Sequence, residues 1–137
     1  MAARRTTPLE WTLRVLLAAV VVVSGLVHLD LWNDGMRSVA VVGPAFLVQG
    51  LASIVLGVLL LGWRHWLPLL GAVGFGAASL LPLVVSTLPS GFFGVHERWA
   101  GAPVWTSVVT EAAAVVLGVC ALLAYRRTAP AATPAGV

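Results

Sequence analysis

Lysine is absent from this chain, acidic residues number 5, and cysteine occurs once, at Cys120. Each scarcity closes a class of function. The formal charge of +3 comes from arginine alone, with no clustered basic stripe or nucleic-acid module to use it. A single cysteine excludes intrachain disulfides and Cys-x-x-Cys redox chemistry. Charged residues make up 9% of the chain, against about 25% in ordinary soluble domains. That leaves too little polar surface to solvate a globule.

Enzymatic signatures are missing too. Gly71, Gly74 and Gly76 lie inside an apolar run without lysine, so they form no phosphate loop. His96-Glu97 opens like a zinc-protease signature, but Ala100 stands where the second histidine is required. No hydrolase triad is evident, and Ser24, Ser53 and Ser107 read as small packing residues.

What the chain has is apolarity: 60% of its residues are hydrophobic, gathered in four blocks. A bilayer core of roughly 30 Å is crossed by about 20 helical residues. The blocks therefore predict an all-α, four-transmembrane-helix bundle with spans near 12–32, 39–61, 67–88 and 103–125. A short basic segment, 1–11, precedes them, and a small, proline-containing tail expected to be disordered, 128–137, follows. The first block is long and lacks a clear cleavage site, so it reads as a retained span and not a signal peptide. Arg14 is placed to snorkel to the headgroups, and Pro82 predicts a bend in the third span.

With four spans, both termini share a side. Arg4, Arg5, Arg14, Arg64, Arg126 and Arg127 fall on that side, and Arg37 and Arg98 on the other. The positive-inside bias makes both termini cytoplasmic in a multi-pass cell-membrane protein.

Against this orientation, residues of unusual type gather in the outer half. Glu111 lies inside the fourth span, about 12 Å from Pro103 by helical rise. A carboxyl group in hydrocarbon is costly and must be sheltered or used. Ser107, Ala114 and Gly118 share its face, which predicts helix packing there. Gln49, Ser53 and Gly57 recur four apart and predict a polar, small-residue stripe for interhelical contact. The candidate polar network is Glu111, His28, Gln49, His96 and Glu97. It reads either as a hydrogen-bonded brace between helices or as a proton- or cation-linked site. Zinc held by His28, His96 and Glu97 or Glu111 is a minor alternative without a compact ligand motif. Haem between His28 and His96 is weaker still, because His96 falls in a loop; no cofactor is expected.

Three stretches carry a resemblance: Gly25-Leu26-Val27-His28, Gly91-Phe92-Phe93-Gly94-Val95-His96-Glu97, and Glu111. On these the chain resembles small uncharacterised four-helix integral membrane proteins of high-GC Gram-positive bacteria. The resemblance covers nearly all of the membrane portion and implies no particular activity. In size and topology alone the chain is also similar to four-span quinone-pathway accessory proteins of the DoxX type.

The expectation is a non-enzymatic accessory or structural membrane subunit, with the lipid bilayer as its surroundings. The alternative is a small proton- or cation-linked transporter or ligand-binding protein using Glu111 with Gln49 and His28. A transport path would need a homodimer or a membrane-protein partner, since four spans make a narrow bundle.

Overall fold

The computed structural model describes residues 6–128, and these form four long helices. They are α1 (Pro8–Asn33), α2 (Val42–Gly62), α3 (Leu67–Ser86) and α4 (Ala102–Thr128). All four are long and apolar enough to cross a membrane. The chain is an integral, multi-pass membrane four-helix protein. Its surface agrees with that setting: Val48, Val58, Leu81, Val109 and Val116 are each more than half exposed along the helix flanks. The interior, by contrast, holds as many polar side chains as apolar ones. Such an inside-out distribution is stable in hydrocarbon, where polar groups must find partners within the protein.

The helix ends depart from the sequence expectation for local reasons. Thr7 caps α1 by accepting a hydrogen bond from Glu10 N at 3.2 Å, and Pro8 occupies its first turn. The helix therefore starts four residues before position 12. Between α1 and α2 a short 3-10 turn, Met36–Ser38, leads into Val41, whose φ is 67°. Val42 N donates to Ala40 O at 2.8 Å, closing a three-residue turn of the strained hand. This turn delays α2 to Val42. Helix α3 runs through Pro82 to Ser86. At the far end α4 continues to Thr128, with Arg126 and Arg127 in its last turn facing the negative helix pole. Arg4, Arg5 and tail residues 129–137 lie outside the described residues.

The helices alternate in direction. His28 near the end of α1 meets Phe46 near the start of α2, with ring centroids 4.9 Å apart. Arg14 near the start of α1 meets the end of α2. Small residues set the close approaches. A side chain on Gly25 would collide with Ser53, and one on Gly50 would collide with Leu29. On the other side, a Cβ on Gly76 would lie 2.5 Å from Glu111 O, and one on Gly118 2.6 Å from Val73 Cγ2. Thus α1 packs tightly on α2, and α3 on α4, with α1 and α4 closing the bundle; α2 and α3 touch much less. Leu17, Val21, Leu60, Leu69, Ala72 and Phe75 belong to the apolar core.

The bundle has two distinct ends. One, the termini end, carries the start of α1, the end of α4 and the short α2–α3 connection, with Trp11, Trp63 and Trp66 exposed around it. The other carries the two remaining connections, with exposed Trp99 and Trp105. Two tryptophan girdles fit two membrane–water boundaries.

Candidate functional site: a polar cavity at the loop end

The α3–α4 connection folds back over the loop end. Phe92 N donates to Val95 O at 2.8 Å and Val95 N to Phe92 O at 2.9 Å, pairing the two residues as a miniature hairpin. Its central residues, Phe93 and Gly94, both have positive φ, as the tightest two-residue hairpin turns require. Glu97 N donates to Ser86 O at 3.0 Å and ties the connection to the end of α3.

Under this hairpin lies a cavity of about 380 Å³. Helix α1 contributes His28 and Leu31, and α2 contributes Phe46 and Gln49. Ser79, Pro82 and Ser86 come from α3, Ser107 and Glu111 from α4, and Phe92, Val95 and Glu97 from the hairpin segment. The walls are mainly apolar with a few convergent polar groups, the usual composition of a small-molecule site. Pro82 has no N–H to give to the Ala78 carbonyl one turn earlier, which roughens the helix at the cavity wall.

Glu111 is 1% exposed and His28 7%. His28 Nε2 stands 3.7 Å from Glu111 Oε1, beyond the roughly 3.2 Å limit of a well-formed hydrogen bond. The other ring nitrogen fixes the tautomer. His28 Nδ1 donates to Ser24 O at 2.8 Å, and a carbonyl oxygen can only accept. Nε2 therefore faces the carboxyl group either as a lone pair or, on the doubly protonated ring, as N–H. A single proton shared by the pair leaves it neutral overall in both arrangements. Ser24, fully buried on α1, lies beside the same carboxyl group. Even so, Ser24 Oγ and Glu111 Oε2 complete no hydrogen bond of ordinary geometry among the described residues. Two buried polar atoms left open at one place are costly in stability and call for a reason.

The five sequence candidates separate here. Glu111, His28, Gln49 and Glu97 line the cavity together. His96 does not: it is exposed on the hairpin segment, and its Nε2 lies 3.3 Å from Pro89 O. Nor does Gln49 reach Glu111. Its amide nitrogen donates to Ser79 Oγ and, at 3.4 Å, to Phe75 O, both on α3. Ser53 and Gly57, expected to share its stripe, face α1 instead. Among the described residues no group of three histidine, cysteine or carboxylate side chains converges as a metal site. The His28–His96 combination needed for zinc or haem is not assembled.

One buried group was misplaced by sequence reasoning. Arg14 does not snorkel; it is fully buried, as is Glu10, and their side chains meet at 3.5 Å. Its guanidinium donates to Leu60 O at 3.3 Å, Trp63 O at 3.2 Å and His65 O at 2.7 Å. These carbonyls belong to the last turn of α2 and the connection after it, where helical partners run out. The signal was a glutamate and an arginine four apart at the start of an apolar span.

No protein-family model, curated protein or solved structure matches the chain. The chemistry of the cavity therefore rests on its own atoms.

Proposed function

We propose that this protein binds a small polar-headed molecule within the membrane, in the loop-end cavity, with Glu111 and His28 as the recognition pair. One observation carries the reading: Glu111, 1% exposed, lines a cavity of about 380 Å³ together with His28, and one of its carboxyl oxygens completes no ordinary hydrogen bond. A ligand hydroxyl or amine supplies the missing partner. It donates to the carboxyl oxygen and, where the head also accepts, receives a hydrogen bond from Nε2–H of the doubly protonated His28 ring. Gln49 and Ser79, already bonded to one another, form a fixed polar wall.

Binding is favoured over passage. Below the cavity, Leu17, Val21, Leu60 and Phe75 fill the bundle, which supports a site closed toward the termini end. Arg64, Arg126 and Arg127 at that end, with Arg4 and Arg5 in the sequence, support cytoplasmic termini in the cell membrane. The cavity then faces the outer leaflet. An accessory role in a larger assembly is the second reading, favoured by the exposed small residues Ala52, Gly71, Gly74 and Ala78 along α2 and α3. The resemblance to small four-helix membrane proteins of high-GC Gram-positive bacteria is compatible with both.

The test uses tailless probes small enough for the cavity, 4-fluorobenzyl alcohol and 4-fluorobenzylamine, titrated against the detergent-purified protein by fluorine NMR. Saturable binding is expected, weakened about tenfold in Glu111→Gln and abolished by Ser107→Leu, which fills the cavity. Equal signals from the wild type and both folded variants would sink the proposal.

A further inference from the structure

The cavity is not closed on all sides. Gln49 and Ala78 line it, and the same two residues begin a second, open groove between α2 and α3. The groove continues past Ala52, Val55 and Leu59 on one helix and Gly74 and Gly71 on the other. From Gln49 to Leu59 this is ten residues, or about 15 Å along the helix axis. It exists because α2 and α3 make few contacts, unlike the other neighbouring pairs. Phe75 and Leu56 form its deeper floor, and the exposed Ala52, Gly71, Gly74 and Ala78 its edges, with Val55 60% exposed. A mainly apolar cavity with Glu111 and His28 in its wall thus adjoins an apolar groove on the bundle flank.

That continuity describes a ligand with two parts. We infer that the occupant is a single-chain amphiphile with a hydroxyl or amino head, entering sideways from the bilayer between α2 and α3. Its head reaches Glu111 and His28, and its chain passes the lipid side of the Gln49–Ser79 bond that bridges the two helices and lies in the groove. The inference rests on the proposed binding function and names its ligand class.

Charge selects the head. The groups of titratable type on the cavity wall are Glu111, Glu97 and His28, and no arginine lines it. A phosphate or carboxylate head would meet two carboxyl groups with at most one histidine to offset them, in surroundings of low dielectric. A hydroxyl or an ammonium meets hydrogen-bond acceptors instead. Ordinary phospholipids are therefore disfavoured on two counts, their anionic phosphate and their second chain. Width selects the tail, because a groove edged by Gly71, Gly74 and Ala78 over Phe75 takes one chain laid lengthwise between the two helices.

The experiment uses the full chain in phosphatidylcholine nanodiscs and three photoactivatable probes with a diazirine near the tail end: hexadecyl alcohol, hexadecylamine and hexadecanoic acid. Crosslinks are located by peptide mass spectrometry. For the alcohol and the amine, saturable labelling is expected at Val55, Leu59 and the α3 segment around Gly71 and Gly74. It should stand well above labelling at Val109 and Val116, which face lipid on α4. Glu111→Gln should reduce groove labelling about tenfold. Gly74→Leu should abolish it while leaving the tailless fluorobenzyl probes bound. The acid should label the groove no more than it labels α4.

Groove labelling at the α4 level for every probe overturns the inference, as does preference for the acid. So does efficient disulfide crosslinking between two copies of a Val55→Cys variant in a Cys120→Ser background, which would make the seam a dimer contact. In each case, continued Glu111-dependent binding of the tailless probes leaves the proposed function standing. Loss of both would remove the two together.

Discussion

The two ends of the bundle each bury an acidic residue beside a basic one, and they use the pair in opposite ways. At the termini end, Glu10 and Arg14 sit 3.5 Å apart on adjacent turns of α1, and the guanidinium is bonded to three carbonyls at the end of α2. Both side chains are fully buried. At the loop end, Glu111 and His28 come from different helices, stand 3.7 Å apart beside a cavity, and leave Glu111 Oε2 without a completed hydrogen bond. A satisfied buried pair locks geometry, whereas an incompletely satisfied one holds back binding capacity for something else. The first is a clasp joining α1 to the α2–α3 turn. The second has the form of a receptor site.

That contrast is most exposed to failure at Arg14. Replacing it with leucine orphans the carbonyls of Leu60, Trp63 and His65 and leaves Glu10 buried without its arginine. A loss of about 3–5 kcal/mol is expected from breaking a buried pair on one side, read as thermal unfolding in detergent. The double variant Glu10→Leu with Arg14→Leu should recover part of it, because no uncompensated carboxyl group remains. If Arg14→Leu instead matches Arg126→Leu, an exposed control, the clasp is an illusion of geometry.

A second substitution asks whether the loop end is open by design or merely loose. Gly25 lies one helical turn before His28, where α1 presses on α2, and any side chain there would strike Ser53. Gly25→Ala should cost about 1–3 kcal/mol through overpacking. Gly74→Ala meets nothing within 4 Å of the added Cβ and should be close to neutral. Equal effects would mean that the loop half of the bundle yields everywhere, and the cavity would lose its meaning as a shaped site.

Much of this architecture was legible in the sequence because the bilayer does the selecting. Hydrocarbon thickness sets helix length, so four apolar blocks had few other solutions. Glu111 stood out for the same reason. The stripe Gln49, Ser53, Gly57 was read only in part. A four-residue step overshoots one turn by about 40°, so its two ends face different neighbours. Gln49 turns to α3 while Ser53 and Gly57 turn to α1. Arg14 was misread because snorkelling and capping a neighbour's carbonyls look identical in one helix's sequence. Only the placement of α2 decides between them. His96 was lost to loop geometry: positive φ at Gly91, Phe93 and Gly94 sets the path of the segment that carries it, and no periodicity encodes such a turn. Its neighbour Glu97 reaches the cavity through a backbone bond to Ser86, a contact that side-chain pattern does not encode.

The smallest expected effect is the most telling, because it asks the loop-end pair to be nearly irrelevant to folding. Glu111 Oε2 completes no ordinary hydrogen bond among the described residues, and Oε1 stands 3.7 Å from His28, so little stabilisation is there to lose. Glu111→Gln should leave detergent stability within about 0.5 kcal/mol of the wild type. Glu111→Leu, which removes an unsatisfied buried group, should be neutral or stabilising by up to about 1 kcal/mol. Neither resembles the outcome at Arg14, though both residues are charged in type and buried to the same degree. A protein that tolerates a costly, incompletely bonded carboxyl group in hydrocarbon gives up stability there, as the proposed binding function requires. Unfolding curves for the Glu111 variants, measured beside those for Arg14→Leu, decide the matter. If Glu111→Leu falls as far as Arg14→Leu, the carboxyl group is a brace between α1 and α4, and the two ends do the same job.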